Sequence, residues 1–120
     1  MKASVISPAA SIWWKLGALS GATGILLGAF GAHGLKKHVK DPHMLKNWET
    51  AAHYQLIHSV VLLAAPMSRR PTLAGGFIAG GTLLFSGSLY VMTLTEQKKL
   101  GMITPIGGIA LIAGWLALFI

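Results

Sequence analysis

The stretch IWWKLGALSGATGILLGAFGAHG, residues 12–34, decides the fold. Lys15 is its one full charge, and at about 1.5 Å per residue a helix of this length can cross a bilayer. Its glycines recur at gaps of four and three residues, so one helix face is nearly without side chains. Because a bare face gains nothing from contact with lipid, the pattern predicts close packing against another helix. The glycines of this face are Gly17, Gly21, Gly24, Gly28 and Gly31.

The composition also indicates a membrane protein. Hydrophobic residues make up 53% of the 120 and charged residues 11%, against about 25% charged in ordinary soluble domains. These residues include no cysteine, which excludes a disulfide scaffold and a cysteine-ligated metal site within them. The net charge is +7, but the basic residues lie mainly between apolar runs. We therefore expect anionic lipid headgroups as partners at the basic loops, and no nucleic acid.

Four long apolar runs predict a single transmembrane domain over residues 1–120. Because the connections are short, consecutive helices must run antiparallel. The predicted fold is an all-α, polytopic integral membrane protein with four antiparallel transmembrane helices in an up-down bundle. Asp41 and Pro42 have the residue types of an N-cap and first helical position, and Thr104 and Pro105 repeat that pattern. The helices are expected at about residues 12–34, 42–65, 72–94 and 102–120.

Later glycines predict further helix contacts. Gly76 and Gly80 form a small-xxx-small pair, which we expect to pack within the monomer or across a dimer. Gly107 and Gly108 suggest similar packing in the last helix. The alternative is a discontinuous helix near Gly87 or Gly107 that lines a substrate path.

Polar side chains inside helix 2 are candidates for function, because each costs free energy to place in a bilayer. His58 lies near the middle of this helix, Tyr54 shares its face, and Gln55 lies on a neighbouring edge. As a packing residue, His58 is expected to bond to a hydroxyl such as that of Ser86, or to a carbonyl exposed by glycine. The alternative is a proton relay, a ligand contact or a cofactor ligand.

Neither catalysis nor cofactor binding is predicted. The sequence contains no nucleophile elbow, phosphate-binding loop or paired carboxylates, so we assign no catalytic residue and expect a protein that is not an enzyme. The five-residue gaps between histidines do not place them on one helical face, so no metal site is expected. Only His33 and His53 come near the matching depth that haem ligation needs, and no cofactor is expected.

Motifs along residues 16–120 resemble the family that contains transmembrane protein 256, whose bacterial relatives are classed as a domain of unknown function. The matching segments are GAFGAHGL (28–35), YQLIH (54–58), LFSGSLY (84–90), TPIGG (104–108) and GW (114–115). The resemblance implies a small four-helix integral membrane protein and transfers no catalytic residue. The candidate functional or helix-packing polar residues are His33, Tyr54, Gln55, His58, Ser86 and Tyr90.

The leading hypothesis is a non-enzymatic structural or accessory component that packs against other membrane protein subunits or forms a homo-oligomer. Residues 63–75 look more like the eukaryotic branch, and the first 40 residues contain no acidic side chain, which is compatible with mitochondrial import. This favours a supernumerary subunit of a mitochondrial inner-membrane complex. The alternative is a small oligomeric transporter or channel, with His58, Tyr54 and Gln55 lining a polar path on helix 2.

Overall fold

The computed structural model describes residues 7–120, which form four α-helices and no strand. The predicted all-α fold is confirmed. Consecutive helices run antiparallel and are joined by short 3₁₀ turns, which keeps each helix beside the one before it. The helices are α1 (Ser11–His33), α2 (Pro42–Ala64), α3 (Pro71–Thr95) and α4 (Thr104–Phe119).

The start of α2 follows its local chemistry. The Asp41 carboxylate accepts a hydrogen bond from the backbone N–H of His43 at 2.9 Å, and Pro42 occupies the first turn. Proline suits this place because the first-turn N–H groups have no partner within the helix. The predicted N-cap of helix 2 is therefore confirmed.

The start of α4 differs from the prediction. The 3₁₀ turn Lys98–Met102 comes first, and α4 begins at Thr104 instead of residue 102. Thr104 is not the N-cap, because Ile103 occupies that position. Ile103 has helical backbone angles and makes no side-chain capping bond. Instead, the Thr104 hydroxyl lies 2.6 Å from the Ser88 hydroxyl of α3. Because it begins at Thr104, α4 has 16 residues.

The most polar helix lies in the middle of the fold. By length and composition, three segments of residues 7–120 are long and apolar enough to cross a membrane: Ser11–His33, Pro71–Thr95 and Lys98–Phe119. Helix α2 has 23 residues, as many as α1, but is more polar. It packs between α1 and α3, so its polar side chains reach neighbouring helices.

The helices pack in chain order. Helix α1 packs on α2, α2 on α3 and α3 on α4, whereas α1 meets α3 at only a few positions. The molecule is flattened, with principal extents of 50 × 26 × 17 Å. One apolar cluster, containing Trp48 and Met92, lies at the end that carries the first and third loops, and a second contains Ile78 and Leu111.

The predicted glycine face of α1 lies against α2. A Cβ at Gly17 would lie 2.8 Å from the carbonyl oxygen of Ser59, and one at Gly31 would overlap the ring of Trp48. The other three glycines of this face also lie beside α2. A Cβ would make a tight contact with Leu56 if added at Gly24, and an ordinary contact with Ser59 or Ala52 if added at Gly21 or Gly28.

Helices α3 and α4 meet through backbone atoms. A Cβ at Gly107 would lie 2.8 Å from the Cα of Phe85 and 2.9 Å from the carbonyl oxygen of Gly81. A Cβ at Gly108 would lie 3.8 Å from the Phe85 ring, which is ordinary contact. Gly107 therefore sets how closely the two helices approach.

Of the two contacts predicted for Gly76 and Gly80, the one inside the monomer is not formed, and the one across a dimer stays a prediction. A Cβ at Gly76, Gly80 or Gly87 would lie within 4 Å of no other atom in the described part of the chain. The reason is the packing order: α1 runs along α2 and barely touches α3, so no helix within residues 7–120 covers this face of α3.

Candidate functional site

Gln55 joins three helices. Its amide nitrogen donates to the carbonyl oxygen of Ser20 and to the hydroxyl of Thr23, both on α1 and both at 2.9 Å. Its amide oxygen accepts from the Tyr90 hydroxyl of α3 at 2.7 Å. Near this site the hydroxyls of Ser59 and Ser20 lie 2.7 Å apart. Gln55 is only 7% exposed, and both of its N–H groups and its oxygen are bonded.

This network forms part of a groove that we call the α1–α3 cleft. The cleft has a volume of about 500 Å³, with α1 and α3 as its walls and α2 as its floor. Its polar groups are mostly engaged in bonds between or within helices, so apolar side chains and bare glycines make up most of its surface. The residues that define it here are Leu19, Thr23, Gln55, Gly80, Gly87 and Tyr90.

Other polar side chains bond to backbone carbonyls of neighbouring helices. Ser86 donates to the carbonyl oxygen of Ala51 at 2.7 Å, and the Trp48 indole donates to that of Leu27 at 2.8 Å. Thr93 makes a similar bond to Met44. Such hydrogen bonds hold membrane helices together, because without them the polar group would lie unpaired in hydrocarbon.

His58 joins α2 to α4 and does not bond to Ser86, the hydroxyl that the sequence suggests as one possible partner. Ser86 already donates to Ala51, while His58 faces Trp115. The indole nitrogen of Trp115 lies 3.0 Å from His58 Nε2, and His58 Nδ1 lies 2.7 Å from the carbonyl oxygen of Tyr54. Because an indole N–H can only donate, Nε2 is the acceptor and the ring proton sits on Nδ1. Both nitrogens of this neutral imidazole are engaged.

The predicted polar path on helix 2 is divided between two faces. Tyr54 stacks against His58 and Phe85, beside a separate groove of about 430 Å³ next to α4. Gln55 lies in the α1–α3 cleft instead. His33 is exposed at the C-terminal end of α1. The three helix 2 candidates therefore do not line one channel within the monomer.

Replacing Trp115 with phenylalanine is expected to keep the ring packing and remove the bond to His58. The free energy of unfolding should fall by about 1 kcal/mol, within the range measured for hydrogen bonds between membrane helices. Titration with a denaturing detergent, followed by circular dichroism, measures this change. Trp14→Phe is the control, because Trp14 is exposed and has no hydrogen bond in the described part of the chain. Equal effects from both variants would show that the bond contributes nothing.

Within residues 7–120 few side chains are arranged in a way that would suit catalysis or metal binding. No three His, Cys, Asp or Glu side chains lie close enough together to hold a metal ion. The salt bridge found there joins Lys46 to Glu49 at 3.1 Å on the surface. The one buried side-chain donor without a partner in that range is Trp13 Nε1. The buried polar groups thus serve mainly to join helices.

Sequence reasoning missed several of these residues. Ser20 and Thr23 each precede a glycine of the α1 face, so their position beside that face was a usable signal. Trp48 and Trp115 gave no such signal, because the pairing of an indole with a distant carbonyl or imidazole depends on the packing of whole helices.

Comparison with known proteins identifies the family. A family model described as a protein of unknown function (DUF423) matches residues 27–108. A UPF0382 membrane protein of Schizosaccharomyces pombe is 37% identical over 115 residues, which cover 89% of this chain and 98% of that protein. One from Staphylococcus aureus is 46% identical over 110 residues, covering 88% and 89%. No solved structure matches.

A third relative is the UPF0382 membrane protein YwdK of Bacillus subtilis, 39% identical over 112 residues that cover 88% of this chain and 90% of that protein. The relatives are named as membrane proteins in bacteria and in a fungus, which agrees with the helices long enough to span a bilayer. The resemblance to a family with bacterial relatives of unknown function is confirmed. This chain belongs to the DUF423 family of membrane proteins of unknown function.

Proposed function

We propose that this protein is a non-enzymatic accessory component of the membrane, a small bundle that packs laterally against a transmembrane helix of another protein. The observation that carries the proposal is the bare face of α3. A Cβ at Gly76, Gly80 or Gly87 would meet no atom of residues 7–120 within 4 Å, whereas the glycine face of α1 lies against α2 and Gly107 lies against α3. Glycine faces allow two backbones to approach closely, so the open one is suited to a helix from outside.

The surroundings of this face support a helix as the partner. The α1–α3 cleft contains Gly80 and Gly87, and two leucines stand beside them: Leu83 is 74% exposed and Leu19 is 62% exposed. Large side chains beside a glycine groove can interdigitate with those of an incoming helix. The groups of the Gln55 network are bonded within the monomer, so a partner need not supply polar groups to satisfy them.

For a eukaryotic host we propose the mitochondrial inner membrane, with the protein as a supernumerary subunit of a complex. The support is the absence of acidic residues before Asp41, as in import sequences, together with the relative in fission yeast. The relatives in Staphylococcus and Bacillus favour a kind of partner that bacteria also contain.

The test is the native size of the tagged protein after gentle solubilisation from its own membrane, with mass spectrometry of the proteins that migrate with it. We expect a species much larger than the monomer with defined partners. Gly80→Leu places a side chain in the cleft at a position where a Cβ meets no atom of residues 7–120 within 4 Å, so it should abolish the large species with little effect on the stability of the monomer.

Ala22→Leu is the matched control, because Ala22 is an exposed α1 residue outside the cleft. If the wild-type protein migrates alone, as a monomer or a small homo-oligomer, the accessory role is wrong. If Ala22→Leu dissociates the large species and Gly80→Leu does not, the partner binds another face and the role of the cleft is wrong.

A second candidate is a small oligomeric transporter. The observation that favours it is the cluster of Gln55, Tyr90 and Thr23, whose hydrogen-bonded groups lie in the otherwise apolar cleft. Solute flux into vesicles that contain only this purified protein would support it. Gly80→Leu should then block the flux while the protein remains folded.

A further inference from the structure

We propose that the groove between α1 and α2 is a binding site for one anionic phospholipid. The groove has a volume of about 450 Å³ and lies at the end of the molecule that carries the first loop. In this proposal one acyl chain lies between the helices and the phosphate binds at the basic mouth. The residues used in the argument are Gly28, Ala32, Lys36, Lys46, Trp48 and Ala52, which all line the groove.

Small residues create the apolar part of the groove. A Cβ at Gly28 would come to 3.9 Å from the Cβ of Ala52, so the missing side chain leaves a space about as wide as one methyl group beside Ala52. At Gly31 the Trp48 ring fills the corresponding space, which limits the groove to the surface along the two helices. The indole N–H of Trp48 donates to the carbonyl oxygen of Leu27, so it is not available to a ligand. From Lys46 to Ala52 the groove follows α2 for about 9 Å at 1.5 Å per residue. Its lining suits a hydrocarbon chain.

The mouth of the groove suits a phosphate. The connection 35–46 contains four lysines and one aspartate. Lys46 is paired with Glu49, whose carboxylate offsets its charge, whereas Lys36 has no acidic partner in residues 7–120. Lys40 lies outside the lining of the groove, and its ammonium donates to the backbone carbonyl oxygen of Lys36 at 2.9 Å. Lysines near the membrane surface attract anionic headgroups by about 1 kcal/mol each.

The combination identifies the occupant. An apolar slot that opens between basic side chains at the end of two membrane helices matches a lipid with an acyl chain and a negative headgroup, and matches a zwitterionic lipid less well. This groove lies between α1 and α2, apart from the α1–α3 cleft. The lipid site and the proposed accessory function can therefore fail separately.

The experiment is native mass spectrometry of the purified protein with added phosphatidylglycerol or phosphatidylcholine of the same acyl chains. We expect one phosphatidylglycerol to be retained in preference to phosphatidylcholine. Lys36→Gln combined with Lys46→Gln should weaken its retention roughly fivefold, because it removes the attraction of Lys36, whereas the charge of Lys46 is already offset by Glu49. The control is Lys98→Gln combined with Lys99→Gln, which removes the same charge from exposed positions of the third loop, and it should retain the lipid.

A second pair of variants tests the apolar part of the groove. Ala32→Leu fills the groove from an exposed position, and Ala29→Leu adds the same side chain at an exposed α1 position outside it. Only Ala32→Leu should reduce lipid retention. The proposal is overturned if the two lipids bind equally, if both lysine pairs behave alike, or if both alanine variants behave alike. Displacement of the lipid by inorganic phosphate alone would also overturn it, by showing a site for the free anion.

Discussion

Replacing Gly107 with alanine is expected to lower the free energy of unfolding by about 3 kcal/mol, at the upper end of the usual range for an overpacked site. The new Cβ would lie 2.8 Å from Phe85 Cα and 2.9 Å from the carbonyl oxygen of Gly81. Both are backbone atoms, so no side-chain rotation can relieve the overlap. Helix α4 must move away from α3, which weakens the packing around this contact.

Gly108→Ala is the matched control for Gly107→Ala. It adds the same methyl group one residue further along α4, where the nearest atom is in the Phe85 ring at 3.8 Å. This variant should be neutral or more stable by up to about 1 kcal/mol, because alanine favours a helix more than glycine does. Unfolding in mixed detergent micelles, followed by circular dichroism, compares the two. Similar losses from both would mean that helix α4 does not pack on α3 through Gly107.

Replacing Gln55 with leucine is expected to destabilise the protein by about 2–3 kcal/mol. The change removes three hydrogen bonds, each worth about 0.6 kcal/mol on average between membrane helices, and leaves the Tyr90 hydroxyl without its partner. Tyr90→Phe removes only one of these bonds and should cost about 1 kcal/mol. Because the two residues share a bond, the double variant should be little worse than Gln55→Leu alone.

The same unfolding titration measures the Gln55 series. His53→Leu is the control, since His53 is an exposed polar residue of α2 whose side chain makes no hydrogen bond to residues 7–120. Its effect should stay within about 0.5 kcal/mol. Strictly additive losses for Gln55→Leu and Tyr90→Phe would contradict the network, because they would show that the two side chains act independently.

Helical periodicity explains why much of the fold is visible in the sequence. The spacing of the α1 glycines identifies one face of one helix, and that face does lie against a neighbour. The same kind of spacing at Gly76 and Gly80 identifies an open face. Glycine spacing indicates that another helix could approach that face closely. Whether a helix does lie against the face depends on the order in which the helices pack, and a local sequence pattern does not contain that order.

In the candidate site, the sequence likewise indicates which residues need partners but not which residues those partners are. The cost of a polar group in a bilayer marks Gln55 and His58 as residues that need partners. Their partners differ in distance along the chain: Ser20 is 35 residues from Gln55, and Trp115 is 57 residues from His58. Only the packed helices bring these pairs together, and they also turn Gln55 and His58 toward different grooves.

Packing in chain order also bears on how the protein can be made. Helix α2 is the most polar of the four, and on its own it would enter a bilayer with its Gln55 amide unpaired. The carbonyl oxygen of Ser20 and the hydroxyl of Thr23 belong to α1, which leaves the ribosome first. The two helices can therefore insert together as a hairpin that already satisfies the amide donors. Each later helix meets its main neighbour already in the membrane, so assembly can keep pace with synthesis, without a search for a distant partner.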